Sequence, residues 1–315
     1  MAVTFRALWE QAFARGYYAT PQPMGSQFRP GELAGYFNDL RLRAAWPGPV
    51  DELGLPAPSP DDPAASAPVT ALAQFGLGHW DLWLEAGRPE DHPSLAKVLA
   101  VADRICDRMD DQGRWVALPN GSPSYPGCGP YSALTQGEGI SLLARAHSAG
   151  GGARHYQSMR KAAQFLVTPV EDGGVCRRSP DGFVLEEVVT EREVGILNGW
   201  IFALFGLYDL GLADPGHPGG RALEPSLAAL ATNLSRYDRG YWSNYDLVGA
   251  IAKPNYHLLH ISQFTALEQT FPAHAVAFGG VRRAFQSYQQ HRLNRFRAVA
   301  VKAFQVGMRR RPAAR

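Results

Sequence analysis

Cysteine is scarce in this sequence, and the few cysteines present form no recognisable framework. The chain has 315 residues and 3 cysteines, Cys106, Cys128 and Cys176. Their number is odd and no two show C-x-x-C spacing, which argues against a disulfide scaffold and against a structural zinc site. We therefore expect a reduced, cytoplasmic protein.

A surplus of basic residues is also missing. The net charge is only +2, whereas domains that bind nucleic acid concentrate Lys and Arg on one face. No apolar run reaches the length of a membrane-spanning helix. The first sixteen residues, MAVTFRALWEQAFARG, lack the apolar core of a signal peptide. These absences predict no nucleic-acid partner and no membrane span.

Motifs for cofactors and for common nucleophiles are absent as well. The run QGEG at residues 136–139 is not a GxGxxG nucleotide fingerprint, and the chain contains no GxSxG motif. The run HLLH places His257 and His260 three residues apart with no Glu between them, which is a poor match to a zinc-protease motif. The sequence predicts neither a cofactor nor a metal site.

Helical patterns fill the chain from residue 69 onward, with apolar residues recurring at i, i+3 and i+4. The eight patterned segments are residues 69–86, 93–109, 132–148, 154–167, 194–212, 223–236, 257–270 and 273–296. Residues 4–15 and 32–43 also fit short helices. The proline-rich stretch 47–68 is typical of an irregular arm or linker.

A similar loop follows the second, fourth and sixth of these segments. Each loop has an acidic residue, a glycine turn at Gly113, Gly173 or Gly240, and then a short extended apolar stretch. Such a repeat indicates stacked helical hairpins, since a helix pair cannot bury both of its faces alone. We predict an all-α fold, an α/α toroid of about four helical hairpins with short β-like loops on one face. The predicted divisions are a helical and irregular arm at 1–67, the toroid domain at 68–300 and a basic tail at 301–315.

Residues 241–263 gather an unusual number of polar and aromatic side chains. Pro254 predicts a turn and then a helix start, so this cluster would lie on a loop and on the first turn of a helix. The candidate site residues here are Tyr245, Asp246, Lys253, Tyr256, His257 and His260. Taken one by one, most of these residues would be explained by a helix cap packed beside aromatic core residues. The cluster as a whole favours a functional site.

Other polar candidates precede this cluster in apolar surroundings. Glu187 is flanked by Val and Leu, and burial there would raise its pKa into the range of a general base. An exposed Glu pair with Glu186 is the alternative. Asn198 lies in an apolar helix, where a buried amide needs partners for a structural or a ligand-binding purpose. The remaining candidates are Tyr131, Gln136 and Glu138.

Several of these motifs, in order, resemble the C-terminal region of the D-glucuronyl C5-epimerases. PYSALTQGEGISLLARAH is similar to the family's substrate-binding segment, and FVLEEVV followed by ILNGWIFALFGLYDL is similar to its Glu-Glu-Tyr-Pro motif and the next helix. YWSNYDL and NYHLLHISQ resemble its two C-terminal motifs. The resemblance implies conversion of D-glucuronate to L-iduronate in a heparosan-like polysaccharide, and a possible homodimer.

The resemblance also implies roles for individual residues. Removal and return of a proton at C5 needs two acid–base groups, and the matching positions are Glu187 and Tyr256. Positions that would hold the sugar are Gln136, Glu138, Asn198, Tyr245 and Asp246. By their chemistry, we expect Lys253, His257 and His260 to supply positive charge for the substrate carboxylate.

The chain departs from the family pattern at one acid–base position. Val188 stands where the motif has its tyrosine, and Val189 where it has proline. The change is consistent with an epimerase in which Glu187 and Tyr256 suffice, with a different uronate substrate, or with an inactive glycan-binding relative. A polysaccharide lyase or glycoside hydrolase of the same fold is a further hypothesis.

Overall fold

The computed structural model describes residues 19–57 and 67–309. This part of the chain contains nine α-helices and one small two-stranded sheet, which confirms the predicted all-α fold. The elements are α1 (Val69–Glu85), α2 (Pro93–Asp107), α3 (Ala133–Ser148), α4 (Ala153–Leu166), β1 (Cys176–Ser179), β2 (Gly182–Leu185), α5 (Leu197–Ala213), α6 (Leu223–Thr232), α7 (Pro254–Thr270), α8 (Ala275–Gln290) and α9 (Arg292–Arg309). No helix in the described ranges is long and apolar enough to cross a membrane.

The helices pair as the repeat predicts. The hairpins are α1 with α2, α3 with α4, α5 with α6, and α7 with α8, and the first helices of the pairs pack side by side in chain order. Helix α5 is buried at nearly every position as far as Leu210, as expected of an inner helix. The closure of these hairpins into a complete ring stays a prediction.

Two glycines set how closely inner helices α3 and α5 approach. A Cβ atom on Gly206 would lie 2.5 Å from the Gly137 Cα atom, closer than packed atoms allow. Both positions therefore need glycine, despite its cost in helix propensity. This explains why a glycine interrupts the apolar helix α5 at residue 206.

The glycine turns of the repeated loops are confirmed. Gly113, Gly173 and Gly240 have φ angles of +79°, +80° and +74°, in the left-handed region that favours glycine. After the second turn, β1 pairs antiparallel with β2, with Cys176 opposite Leu185. Strand β2 leads directly into the Glu-Glu motif.

Some predicted boundaries were wrong. Residues 32–43 form turns and only a short 3₁₀ helix at Arg41–Arg43, because their backbone pairs with an earlier segment: the Gly35 N–H donates to the Gln27 carbonyl at 2.9 Å. Helix α7 begins at Pro254, since proline suits the first helical position. The pattern at 273–296 breaks at His291, and α9 extends through much of the predicted basic tail. The predicted helix at 4–15 lies outside the described residues.

The described part of the N-terminal arm, residues 19–57, packs into the core. Tyr36, Phe37 and Leu40 are fully buried. The Asn38 side chain donates to Ser262 Oγ on α7 at 2.7 Å, and Trp80 on α1 donates to a carbonyl of the arm at 2.9 Å. The arm therefore bridges the first and last inner helices.

A buried ion pair holds the same arm to the inner helices. Arg145 on α3 and Asp209 on α5 are both buried, with Nη1 and Oδ2 2.5 Å apart. The same guanidinium also donates to the carbonyls of Ala34 and Gly35, each at 3.2 Å. One arginine thus joins two helices and the arm.

Candidate active site

A cavity of about 200 Å³ opens where the four inner helices begin. Because α1, α3, α5 and α7 all start at this wall, the positive ends of four helix dipoles lie beside the cavity. The polar side chains that these helices contribute are Thr70, Gln74, Thr135, Asn198, Asn255 and Tyr256. The cavity therefore suits a polar ligand with negative charge.

The two adjacent glutamates after β2 have different environments. Glu186 is buried and accepts hydrogen bonds from Arg177 Nε at 2.8 Å and from the backbone N–H groups of Val194 and Gly195 at 3.1 and 2.8 Å. Glu187 instead contributes to the cavity wall. Glu186 therefore fixes the loop, whereas Glu187 faces the cavity.

The Glu187 carboxyl has few polar contacts. Asn198 Nδ2 donates to its Oε2 at 3.4 Å, a long hydrogen bond. Burial raises the pKa of Glu187 to about 8. A Cβ atom on Gly199 would lie 2.6 Å from Glu187 Cβ and would overlap its carboxylate. The side chain thus packs against a glycine on α5, in an environment that suits a general base near neutral pH.

Tyr256 shares the cavity wall with Glu187. Burial and the nearby Glu187 carboxylate raise the pKa of Tyr256, whereas a hydrogen bond from Tyr245 and the charge of Arg43 oppose that rise. The two tyrosine rings meet edge to face, with centroids 4.8 Å apart. Tyr245 therefore supports the hydroxyl of Tyr256, and it does not itself contribute to the cavity wall.

The two histidines do not supply the positive charge that we expected of them. Ser243 Oγ bonds the Nδ1 atoms of His257 and His260 at 2.8 and 3.0 Å, and His257 stacks on Trp242 with centroids 3.8 Å apart. Burial lowers the pKa of His257 to about 3 and that of His260 well below its ordinary value. Both rings are neutral near pH 7 and outside the cavity wall. Within the described ranges, no cluster of His, Cys, Asp and Glu is placed to hold a metal ion.

The cation beside the cavity comes from a different residue. Lys253 occupies the position just before α7 and does not contribute to the wall. Arg43, from the 3₁₀ turn of the arm, does contribute to it and is only 3% exposed. No sequence motif identified Arg43, because its position depends on packing between distant segments.

The QGEG segment on α3 lies one layer behind the cavity wall. Gln136 bridges backbone groups: its Oε1 accepts from the Trp115 N–H at 3.2 Å and its Nε2 donates to two carbonyls. Glu138 accepts from Gln74 Nε2 at 2.9 Å, and burial raises its pKa to about 8. Gln74 faces the cavity and screens Glu138 from it.

Tyr131 and Asp246 also lie outside the cavity wall. The Tyr131 ring packs on Phe165, with centroids 5.3 Å apart. Asp246 is buried and accepts from the Tyr125 hydroxyl at 2.6 Å and from the Ala250 N–H at 2.8 Å. Its contacts brace the loop that carries Tyr245.

Val188 lies in the core and not in the cavity wall. It is 4% exposed and clusters with Val194 and Ile196. Of the predicted site residues, the cavity brings together Glu187, Asn198 and Tyr256.

Comparisons with known proteins identify relatives of this chain. The sequence model of the family described as D-glucuronyl C5-epimerase C-terminus matches residues 121–283, more than half of the chain. The chain is similar to the D-glucuronyl C5-epimerase of Caenorhabditis elegans, 29% identical over 187 residues, which are 51% of this chain and 30% of that protein. It is also similar to an uncharacterised protein of Methanocaldococcus jannaschii, 28% identical over 132 residues, which are 41% of this chain and 43% of that protein.

The match to each of these relatives spans less than half of the relative's length. The family match covers α3 to α7, and so includes Glu187, Asn198 and Tyr256. The chain therefore belongs to the D-glucuronyl C5-epimerase C-terminus family.

Proposed function

We propose that the protein is a uronate C5-epimerase, which converts D-glucuronate to L-iduronate residues in a heparosan-like polysaccharide. The observation that carries the proposal is the pairing of Glu187 and Tyr256 in one cavity wall. The raised pKa of Glu187 lets its carboxyl take up and release a proton near neutral pH, and the raised pKa of Tyr256 keeps its hydroxyl protonated, so that it can act as the proton donor.

The chemistry follows from the acidity of the C5 proton, which lies α to the uronate carboxylate. In the proposed reaction the Glu187 carboxylate removes this proton, and the electron pair of the broken C5–H bond moves into the substrate carboxylate to give an enolate. Tyr256 then donates its hydroxyl proton to the other face of C5. The resulting phenolate is stabilised by the Tyr245 hydrogen bond and by the charge of Arg43. Solvent restores both protonation states.

Polar groups around the two acid–base residues suit a sugar substrate. Asn198, Gln74 and Thr135 offer amide and hydroxyl groups to the cavity, and such groups match the hydroxyls of a sugar ring. The reaction removes and returns one proton, so it needs no redox cofactor. The cytoplasmic location and the homodimer expected from the sequence stay predictions.

Val188 supports one competing reading, a glycan-binding relative without activity, because the tyrosine of the family motif is absent there. The cavity supports epimerisation over this reading, since two acid–base groups remain in its wall. A lyase shares the first proton abstraction, but it then expels the oxygen at C4 and leaves an unsaturated uronate.

Product analysis tests the proposal. The protein is incubated with heparosan and with other glucuronate polymers, and products are followed by NMR and ultraviolet absorbance. New iduronate signals without ultraviolet absorbance are the expected result. An unsaturated uronate would replace the epimerase by a lyase. Binding of the polymers without any product would support the inactive relative.

A further inference from the structure

Arg43 gives the cavity a positive charge from outside the family-matched region. The family match begins at residue 121, whereas Arg43 belongs to the arm. Its side chain is 3% exposed and contributes to the cavity wall. Arg43 is the only Lys or Arg among the wall residues of the described chain. Among the wall residues in the described ranges, Arg43 is therefore the source of positive side-chain charge.

The local packing explains how Arg43 reaches the cavity. The turn Arg41–Arg43 lies against α1, and a Cβ atom on Gly78 of that helix would overlap the Leu40 carbonyl oxygen. Glycine at residue 78 thus permits the close approach. On the other side of the turn, Asn38 bonds Ser262 on α7. These contacts hold the Arg43 backbone between the first and last inner helices.

Arg43 influences two titratable groups at or behind the cavity wall. Its positive charge lowers the pKa of Glu138 and the pKa of Tyr256, in both cases against a larger effect of burial. Glu187 faces the same cavity. A uronate entering the cavity would bring a further carboxylate close to Glu187, so it needs a cation to offset the repulsion.

We propose that Arg43 binds the carboxylate of the uronate residue and so makes the cavity selective for uronates over neutral sugars. The planar guanidinium matches a carboxylate with two parallel N–H···O bonds. Proton removal from C5 moves negative charge onto that carboxylate, so the same contact strengthens in the transition state. The inference rests on the proposed function and extends it to a residue of the arm.

A binding experiment with matched ligands tests this role. Calorimetry compares a glucuronate-containing heparosan oligosaccharide with its carboxyl-reduced counterpart, in which glucose replaces glucuronate. Arg43→Gln is expected to weaken binding of the charged ligand about 10- to 150-fold, the range for a lost hydrogen bond to a charged group. Binding of the neutral ligand should change less than about threefold.

Arg41→Gln is the matched control, because Arg41 lies in the same turn but pairs with Asp39 and Glu85 away from the cavity. It should leave both affinities unchanged. Equal affinity of wild type and Arg43→Gln for the charged ligand would overturn the inference, and so would an equal loss for both ligands. If Arg43→Gln does not fold, Arg43→Lys replaces it. The lysine variant should keep a preference for the charged ligand, and loss of that preference with the fold intact would overturn the inference.

The proposed epimerase activity and the proposed role of Arg43 can be refuted independently of each other. Binding that depends on Arg43 but yields no iduronate would remove the epimerase and keep the carboxylate contact. Turnover that Arg43→Gln leaves unchanged, in both kcat and KM, would keep the epimerase and remove the contact.

Discussion

Replacing Glu187 by Gln tests whether burial in the folded protein disfavours the ionised form of the Glu187 carboxyl. Burial raises the pKa of this group from the ordinary value of 4.5 to about 8. Between these pH values the folded state holds a proton that the unfolded chain has released. The free energy of unfolding of the wild type therefore falls as pH rises through this window. Glutamine does not ionise, so the variant lacks this fall.

The size of the effect follows from the shift. One pKa unit corresponds to about 1.4 kcal/mol, so the full shift sets an upper limit of about 5 kcal/mol. The carboxyl faces a cavity that solvent reaches, which reduces the penalty for its charge. We expect Glu187→Gln to be more stable than wild type by about 2 to 3 kcal/mol above pH 8, and equal to it near pH 4.5.

Urea unfolding followed by circular dichroism measures this difference across the pH range, provided that the m-value stays constant. Glu90→Gln is the control, since Glu90 is exposed and its replacement should give no pH-dependent difference. A difference for Glu187→Gln that stays constant with pH would refute the argument. So would a difference that shrinks as pH rises.

Four further substitutions have defined outcomes. Tyr256→Phe should lower kcat roughly 100-fold or more; a loss below tenfold would remove its acid–base role. Gly199→Ala should displace the Glu187 carboxylate and so lower kcat while the enzyme stays folded. Gly206→Ala should instead reduce the free energy of unfolding by about 1 to 3 kcal/mol through overpacking and leave kcat unchanged. Equal kcat for the two would contradict this. Asp209→Ala should cost about 3 to 5 kcal/mol in urea unfolding, because it leaves a buried arginine unpaired; a loss below 1 kcal/mol would contradict that reasoning.

Helices were the part of the fold most readable from sequence. Apolar periodicity placed α1 to α4 within about two residues, because each has a buried stripe or a fully buried face. The 32–43 helix failed because propensity is weak beside tertiary pairing, and Gly35 pairs with an earlier segment instead. The break at His291 carries no glycine or proline signal, so periodicity ran through it.

The sequence predicted the cavity residues correctly only where a family motif coincided with a polar residue in apolar surroundings. Glu187, Asn198 and Tyr256 were identified from sequence and meet in one wall. Side-chain chemistry also suggested His257, yet this ring lies in the core, where burial keeps it neutral. Arg43 was missed because its position depends on the close approach of the arm, at Leu40, to Gly78 on α1. These residues are far apart in sequence, so no local pattern predicts their contact.

Solvent exchange at C5 is the most direct test of the central claim. The protein and heparosan are incubated in deuterated water, and deuterium at C5 of the uronate residues is followed by NMR for wild type and for Glu187→Gln. The account predicts deuterium at C5 together with new iduronate signals for wild type, and a loss of roughly 100-fold or more in the exchange rate for the variant. No exchange with wild type in any glucuronate polymer, or equal exchange by the variant, would contradict it.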